Sequence, residues 1–302
     1  MGSDPKEESL ARLSSALGAT FDELLSQAIV TQAPLSLGVS IVLFRTPIAE
    51  VAALIGELLE QGAERIYLVD NSPLTFDTFG NWQPPQRVTI IRTGCNLGYG
   101  GGHNIAIYDS IRRHRYHLVS NPDIRLKANV LPLLHAVMEE RSDVGLCMPE
   151  VVGPDGQRHY LCKRSPSPLN YLPSWLATAS SRARRREYFE MRDRSYDREI
   201  EPECLSGCFM FLRAATLNKI GAFDERYFMY FEDFDLSRRM RQSARNLYYP
   251  VVQITHEHRR GHRRSLRLLV IFGRSAFRFF SKWGWFEPAA SREGSNRSAA
   301  KR

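Results

Sequence analysis

Two acidic clusters follow apolar segments in this sequence and supply the side chains best suited to do chemistry. The first is Tyr227-Phe-Met-Tyr-Phe-Glu-Asp-Phe-Asp-Leu236, and the second is Ser120-Asn-Pro-Asp-Ile124. A carboxylate at the end of a buried segment is held in place and partly desolvated, so it can bind a metal ion or take up a proton near neutral pH. We expect the two clusters to meet in one site at the edge of a sheet.

The elements that must position these clusters alternate between strands and helices. Runs of apolar residues predict strands, and apolar residues at helical spacing predict helices. The strands are expected at residues 38–44, 65–70, 88–92, 116–120, 144–148, 205–212 and 247–254, and the helices at 48–61, 106–113, 130–140, 214–220 and 234–242. Continuously apolar strands that alternate with helices are typical of buried parallel sheets. The sequence therefore predicts an α/β fold with a mainly parallel central sheet flanked by helices.

Three further segments surround this core. Residues 1–34 carry leucines at helical spacing and predict an N-terminal helical extension. Residues 287–302 are small, polar and charged, so they predict a disordered tail. Residues 150–203 are rich in Pro, Ser and Arg, and we expect them to form a long, partly irregular connection that acts as a mobile substrate loop.

Composition and charge narrow the class of protein. The 302 residues are 43% hydrophobic and carry a formal net charge of +8, which indicates a globular protein with an acidic partner: a nucleotide, a nucleic acid or an anionic membrane surface. The five cysteines form no CxxC pair, so we expect reduced thiols and a cytoplasmic location. Since no signal peptide and no apolar run of about 18 residues is found, the protein is expected to be soluble or to lie on the inner face of the membrane.

Several motifs occur in an order that is specific as a set. They are Asp70-Asn-Ser, Asn96-Leu-Gly-Tyr-Gly-Gly-Gly-His-Asn104, Asn121-Pro-Asp123, Gly207-Cys-Phe-Met-Phe-Leu-Arg213 and the segment from Gly221 to Leu236. Together they resemble family 2 of the inverting glycosyltransferases, and most of all the bacterial rhamnosyltransferases that build O-antigen and other cell-surface polysaccharides. The resemblance covers residues 38–286. It implies a GT-A fold with a Rossmann-like nucleotide-binding half at about 35–150 and an acceptor half at about 151–260.

The resemblance also implies a nucleotide-sugar donor and its contacts. Asp70 would bind the base or ribose, and the end of the first strand would line the same pocket. Relatives often have an aromatic-Asn pair there, so Arg45-Thr46 departs from the pattern. Glycines in the loop after the third strand would let the backbone approach the donor. The full donor set is Phe44, Arg45, Thr46, Asp70, Asn96, Gly98, Gly100, Asn104, Asn121 and Asp123. A plain turn at Asp70 and a plain flexible loop at 98–102 are the alternatives.

A divalent metal ion, Mg²⁺ or Mn²⁺, is the implied cofactor. A nucleotide diphosphate needs a hard cation held by one or two carboxylates, and Asp123 follows a strand at the edge where α/β sheets bind ligands. The family has an Asp-x-Asp-like element here. Because Asn121 takes its first position, Asp123 is the one charged ligand of the motif, and Asn121 is better suited to a sugar or ribose hydrogen bond. His256 would complete the metal shell or contact the diphosphate. The alternatives are an Asn-Pro-Asp turn and a solvated turn around His256.

The resemblance assigns the catalytic base to Asp233. Inverting transfer needs a carboxylate that removes a proton from the acceptor hydroxyl as it attacks the anomeric carbon. Glu232 and Gly207 would lie on the acceptor side, and Asp235 would help to shape the site. The alternative is that Asp233 and Asp235 only favour the N-terminus of a helix.

A C-terminal amphipathic helix is expected at about 263–286. Arg267, Arg274, Arg278 and Lys282 share one helical face, and the apolar residues Leu266, Leu269, Val270, Phe277 and Phe280 lie largely opposite. Basic amphipathic helices with aromatic residues lie on anionic bilayers, which would suit an acceptor carried on a polyprenyl lipid. The alternatives are a helix that covers the sheet and a contact between two copies in a homodimer.

The expected activity is transfer of L-rhamnose from dTDP-L-rhamnose to a saccharide or polyprenyl-linked saccharide acceptor, and the donor sugar follows from the resemblance alone. One alternative is a metal-dependent nucleotidyltransferase that acts on sugar phosphates. It would carry a Gly-rich basic loop after the first strand, where this chain has Phe44-Arg-Thr-Pro47. A basic nucleic-acid-binding protein is the other, but no recognised nucleic-acid module occurs and no nucleic-acid partner is expected.

Overall fold

The computed structural model describes residues 35–171, 178–257 and 266–285. The predicted N-terminal extension at 1–34 and the predicted tail at 287–302 lie outside the described residues. So do part of the predicted substrate loop, at 172–177, and the first residues of the predicted C-terminal helix.

The described residues form ten strands and seven α-helices. The strands are β1 Leu37–Leu43, β2 Arg65–Asp70, β3 Val88–Arg92, β4 Tyr116–Ser120, β5 Ile124–Leu126, β6 Val144–Val152, β7 Cys162–Lys163, β8 Cys204–Leu205, β9 Phe209–Arg213 and β10 Arg245–His256. The helices are α1 Ala52–Glu60, α2 Gly98–Ser110, α3 Val130–Glu140, α4 Ala179–Phe189, α5 Ala214–Ile220, α6 Glu232–Met240 and α7 Leu266–Trp283, with 3₁₀ turns at Ile48–Glu50 and Pro168–Tyr171.

Eight of the strands form one sheet in the order β3-β2-β1-β4-β9-β6-β10-β5. Six of them run in the same direction, while β9 and β5 are antiparallel to their neighbours. β1, β4 and β6 are buried almost throughout, as continuously apolar strands of a sheet covered on both faces should be. The predicted α/β fold with a mainly parallel central sheet is confirmed.

The direction of the strands brings the candidate site residues to one edge of the sheet. β1, β2, β4 and β10 all end at this edge, and the antiparallel strand β9 begins there. Phe44, Asp70, Asn121 and His256 therefore stand side by side in space although they are far apart in sequence, and Gly207 joins them from the segment before β9. This is the edge at which open α/β sheets bind ligands.

The glycine-rich segment is a helix, and the prediction of a loop there was wrong. Gly98 begins α2 with a φ of +81°, and a Cβ on Gly98 would lie 2.1 Å from the backbone oxygen of Phe228. A Cβ on Gly100 would lie 2.8 Å from the Cβ of Phe223. These glycines therefore allow close packing of α2 against residues 221–230. That close packing, rather than a flexible backbone, is what their missing side chains provide.

Other element bounds differ from the predictions for local reasons. The predicted strand at 205–212 is two strands, since β8 pairs with β7 in a separate small sheet before the chain enters β9. β6 continues beyond residue 148 to Val152 because β10 pairs with it over that length. α6 begins at Glu232, two residues earlier than predicted, after Tyr230 and Phe231 turn the chain with φ of 70° and 68°.

A buried polar cluster joins α2 to the sheet. The hydroxyl of Ser40 on β1 lies 2.7 Å from Nδ1 of His103 and 2.8 Å from Nε2 of His117 on β4. Burial lowers the pKa of His103 to about 3 and the pKa of His117 well below its ordinary value, so both imidazoles are neutral.

Helix α7 covers the domain with one face and exposes apolar side chains on the other. Phe279 and Phe280 are buried against Tyr227 and Phe231, whereas Leu266, Leu269, Val270 and Phe277 are exposed. The predicted arrangement is corrected in two ways. The exposed apolar residues share the solvent side with Arg267 and Arg274, and Phe280 belongs to the core. Within residues 35–171, 178–257 and 266–285, no helix combines the length and apolar character needed to cross a membrane.

Two of the four basic residues predicted for the face of α7 are tied to the domain. Lys282 Nζ lies 2.6 Å from Oδ1 of Asp235, and Arg278 donates to the backbone oxygen of Arg226. Asp235 also binds Arg239 at 2.8 Å and Trp283 at 2.8 Å, so this buried carboxylate anchors α7 to α6. We therefore assign Asp235 a structural role.

Candidate active site

Asp123 and His256 meet where β5 and β10 pair. His256 stands opposite Ile124 in the antiparallel register, and the backbone nitrogen of Glu257 donates to the oxygen of Asp123 at 2.8 Å. This pairing holds Nε2 of His256 3.1 Å from Oδ1 of Asp123. Burial alone would lower the pKa of His256, but hydrogen bonds to Asp123 and Cys208 outweigh it and raise that pKa to about 10. The two side chains thus form an imidazolium–carboxylate ion pair.

This pair can provide part of a metal site. It offers one carboxylate oxygen and one imidazole nitrogen, with the amide nitrogen of Asn121 3.4 Å from His256. No group of three or more His, Cys, Asp or Glu side chains with metal-binding geometry occurs in the part of the chain that the structure describes. The donor set therefore fits a divalent ion that takes its remaining ligands from a diphosphate and water. Ligation would require His256 to lose its proton.

Asp233 is held by backbone donors at the start of α6. The nitrogen of Gly207 donates to its Oδ2 at 3.0 Å, and the nitrogen of Phe234 donates to its Oδ1 at 2.9 Å. The left-handed conformations of Tyr230 and Phe231 turn the chain into this position. Backbone strain of this kind persists where the surrounding structure enforces it, and it clusters at functional sites.

Glu232 and Asp233 are adjacent carboxyl groups, and the pKa of each is raised. Burial and the adjacent carboxylate raise the pKa of Glu232 well above its ordinary value. Burial also raises the pKa of Asp233, but the hydrogen bonds from Gly207 and Phe234 favour its charged form. Because Asp233 has these donors, it is the member of the pair that loses its proton more readily, and Glu232 is the member that retains it. Asp233 is then a carboxylate whose pKa is shifted toward the pH at which it can accept a proton.

Tyr99 joins the two acidic clusters and was missed by the sequence reasoning. Its hydroxyl donates to the backbone oxygen of Gly207 at 2.5 Å and lies 3.2 Å from Oδ1 of Asn121. The pKa of Tyr99 is raised well above its ordinary value by burial and then by the acidic groups around it, which are Cys208, Glu232, Asp233 and Asp123. A continuous chain of contacts therefore runs from His256 through Asn121, Tyr99 and Gly207 to Asp233. The signal that could have identified Tyr99 is its position directly after Gly98, within the glycine-rich motif.

The ends of β1 and β2 lie at the same edge of the sheet and form the second half of the candidate active-site crevice, and the residues around Asp123 and Asp233 form the first half. Leu43 and Asp70 are partners in the parallel register, and the carboxylate of Asp70 accepts from the backbone nitrogen of Ser72 at 2.9 Å. The backbone nitrogen of Arg45, which has a φ of 51°, donates to the hydroxyl of Ser72 at 2.8 Å. Asp70 thus stabilises its own turn, as one alternative proposed, and the turn shapes the end of β1. Phe44 exposes 40% of its surface here, while Thr46 is buried.

The other predicted donor residues lie at the start and middle of α2. Oδ1 of Asn96 accepts from the nitrogen of Gly98 at 2.9 Å and so closes the turn into the helix. The amide of Asn104 binds both the nitrogen and the oxygen of Phe223 and donates to Glu225, each at 2.9 Å. These bonds fasten α2 to residues 221–225. Contact of Asn96, Gly98, Gly100 and Asn104 with a donor stays a prediction.

The chain is similar in sequence to known glycosyltransferases. No protein-family model matches the chain. The N-acetylglucosaminyl-diphospho-decaprenol L-rhamnosyltransferase of Mycobacterium tuberculosis is 26% identical over 207 residues, which cover 63% of this chain and 66% of that protein. The low-salt glycan biosynthesis hexosyltransferase Agl10 of Haloferax volcanii is 22% identical over 189 residues, which cover 62% of this chain and 56% of that protein. The chain thus spans just under two thirds of the first relative and a little over half of the second.

Among solved structures, GalNAc-T7 crystallised with UDP, GalNAc and Mn²⁺ has a TM-score of 0.53 and 13% sequence identity. The similarity covers 74% of this chain and 43% of that chain. The fold is that of the GT-A glycosyltransferases, which confirms the predicted fold class. The predicted resemblance to glycosyltransferases is likewise confirmed by the curated relatives, which are named as a rhamnosyltransferase and a hexosyltransferase.

Proposed function

We propose that the protein is an inverting glycosyltransferase that moves L-rhamnose from dTDP-L-rhamnose to a polyprenyl-linked saccharide. The observation that carries the proposal is the chain of contacts from the Asp123–His256 pair through Tyr99 to Asp233. This chain of contacts supports a cation site at its Asp123–His256 end and a carboxylate base at its Asp233 end. The name of the mycobacterial relative, which specifies a rhamnosyltransferase and a diphospho-decaprenol acceptor, supports the choice of sugar and acceptor.

In the proposed mechanism the two halves of the crevice hold the two substrates. The ends of β1 and β2, with Asp70 and the residues Phe44 to Thr46, bind the nucleoside. Asp123 and His256 would hold Mg²⁺ or Mn²⁺ against the diphosphate, where the ion supplies charge neutralisation of the leaving group. The presence of Mn²⁺ in the GalNAc-T7 crystal supports a divalent ion.

Asp233 acts on the acceptor. Its carboxylate accepts the proton of the acceptor hydroxyl while the hydroxyl oxygen forms a bond to the anomeric carbon. The bond from that carbon to the diphosphate oxygen breaks on the opposite face, so the anomeric configuration inverts. The hydrogen bonds from Gly207 and Phe234 hold the carboxylate in place, and the protonated Glu232 beside it can donate a hydrogen bond to the acceptor.

The experiment is a donor screen followed by a transfer assay. Thermal unfolding is measured with dTDP-rhamnose, dTDP-glucose, UDP-glucose, UDP-GalNAc, GDP-mannose and the nucleoside triphosphates dTTP and UTP, each with Mn²⁺, Mg²⁺ or EDTA. A ligand at a hundredfold excess over its dissociation constant stabilises the folded state by about 2.7 kcal/mol. The largest stabilisation is expected for dTDP-rhamnose with metal. Stabilisation by a nucleoside triphosphate and none by any nucleotide sugar would refute the proposal in favour of a nucleotidyltransferase.

We also propose that α7 lies on an anionic membrane surface. Leu266, Leu269 and Phe277 expose 77%, 65% and 62% of their surfaces, next to the exposed Arg267 and Arg274. An apolar strip beside arginines fits lipid tails beside anionic headgroups, each basic residue contributing on the order of 1 kcal/mol. A second copy would instead bring like charges together.

Sedimentation with vesicles tests this surface. Wild type should bind phosphatidylglycerol vesicles more strongly than phosphatidylcholine vesicles, and the Leu269→Ser/Phe277→Ser variant should lose most of this binding. Leu74→Ser is the matched control, because Leu74 is 72% exposed elsewhere on the domain. Equal binding of both vesicle types, or a dimer that the double variant dissociates, would refute membrane association.

A further inference from the structure

A basic cavity lies in the segment that joins β7 to β8. It has a volume of about 420 Å³ and lies between α4 and the 3₁₀ turn Pro168–Tyr171. Its described lining residues are Leu169, Asn170, Arg182, Ala183, Arg185, Arg186 and Phe189, and three of them carry guanidinium groups. Like charges so close together favour an anionic ligand over an empty cavity.

Two of the arginines are held by hydrogen bonds to the protein. Arg185 donates to the backbone oxygen of Leu169 at 3.2 Å and to the hydroxyl of Ser181 at 2.8 Å. Arg186 donates to both carboxylate oxygens of Glu190, at 3.1 and 3.2 Å, just beyond the cavity. Guanidinium groups held in this way lose less conformational freedom when they bind phosphate oxygens, which their planar forks match in pairs.

One lining residue of the cavity, Phe189, contacts the residue that follows Asp233. Phe189 packs edge-on against Phe234, the neighbour of Asp233, with ring centroids 6.1 Å apart. Lys163 Nζ lies 3.3 Å from the carboxylate of Glu190, and its charge opposes the rise that burial causes in the pKa of Asp233. Arg186 and Arg182 lie about one and two helical turns before Phe189, or about 5 and 10 Å along α4.

We propose that this cavity binds the diphosphate of a sugar-diphosphate acceptor, which rests on the proposed glycosyltransferase function. With the attacking hydroxyl at Asp233, a group on the far side of the same sugar ring would reach the arginines. Phe189 would lie against the sugar between them. The lining residue Leu169 exposes 58% of its surface, and a lipid attached to the diphosphate would leave the cavity past this side chain.

The test compares two variants with the same loss of charge. Arg182→Gln/Arg186→Gln removes two arginines from the cavity. Arg184→Gln/Arg194→Gln is the matched control, because both of its residues are exposed and neither lines the cavity. Binding of inorganic pyrophosphate is measured by calorimetry in EDTA, which removes any binding through a divalent ion. The cavity variant should bind at least tenfold more weakly than wild type, and the control within twofold. Equal weakening in both variants would overturn the proposal.

Kinetics then distinguish the acceptor from other phosphates. For a prenyl-diphosphate-linked sugar, the cavity variant should raise the acceptor KM at least tenfold and leave kcat and the donor KM unchanged. For the alkyl glycoside of the same sugar, KM should be equal in wild type and variant. A greater loss of binding to acceptor-free phosphatidylglycerol vesicles in the cavity variant than in the control would assign the site to lipid headgroups and overturn the proposal. If wild type transfers no sugar from any donor, the proposed function fails, while the pyrophosphate measurement still decides whether the cavity binds diphosphate.

Discussion

Glu232 and Asp233 are neighbouring carboxyl groups that should respond differently to replacement by an amide. We expect Asp233→Asn to lower turnover by about 10²- to 10⁴-fold, the contribution of a positioned general base. This loss corresponds to an increase of about 3 to 5 kcal/mol in the activation barrier. Glu232→Gln should keep turnover within about threefold, because an amide closely replaces a carboxyl group that is already protonated.

The folded state should survive both changes. In Asp233→Asn, the amide nitrogen must face one of the two backbone donors, from Gly207 or Phe234, and an unsatisfied buried donor costs about 1–3 kcal/mol. The neutral amide also avoids the cost of burying a charge, which offsets part of this loss. We expect a net destabilisation below about 2 kcal/mol, which lowers Tm by a few degrees in a domain of this size.

The assay is single-turnover transfer from radiolabelled donor, with donor affinity measured by calorimetry on the same proteins. Wild-type turnover should fall as the pH is lowered through the pKa of Asp233, since only the deprotonated carboxylate accepts the proton. Donor affinity should be the same in all three proteins. Turnover of Asp233→Asn above a tenth of the wild-type value, or an equal loss in Glu232→Gln, would refute the assignment of the charged carboxylate to Asp233 and the protonated carboxyl group to Glu232.

Four further variants test other parts of the structure. Asp123→Ala should abolish the Mn²⁺-dependent increment in dTDP affinity, whereas Asp70→Ala should weaken dTDP binding equally with and without Mn²⁺. Titration calorimetry distinguishes the two variants. If both variants lose the Mn²⁺-dependent increment, the separate roles of Asp123 and Asp70 are contradicted. Tyr99→Phe removes the donor to Gly207, so it should lower stability by about 1–3 kcal/mol and kcat more than the donor KM; unchanged stability and kcat would contradict this role. His103 and His117 are neutral in the folded protein, but in the unfolded chain they become protonated as the pH falls below about 6.5. The contribution of His103 alone should therefore lower the free energy of unfolding, measured in urea, by about 2 kcal/mol between pH 7.5 and pH 5. A His103→Gln variant whose stability has the same pH slope as that of wild type would refute this.

The amino-acid sequence determined the architecture through local pattern. Continuous apolar runs placed β2, β3 and β4 at their observed bounds, and helical spacing did the same for α3 and α5. Parallel strands end at a common edge, so the order of elements was enough to predict that residues after β2, β4 and β10 would approach one another. Glu232 and Asp233 could be identified as candidate site residues because they directly follow an apolar segment, which holds their carboxyl groups in place and partly desolvates them.

Only the tertiary structure decided which of these residues touch. The glycine-rich segment is helical because its missing Cβ atoms let α2 approach Phe223 and Phe228, and no local pattern records a partner more than a hundred residues away. The same distance hid Tyr99, whose role comes from reaching Gly207 and Asn121 at once. A shorter separation, 48 residues from Asp235 to Trp283, hid the role of Asp235, which is defined by Lys282 and Trp283 of α7. Propensity and periodicity act within a few turns of chain, whereas side-chain hydrogen bonds and close packing depend on neighbours that only the folded sheet brings together.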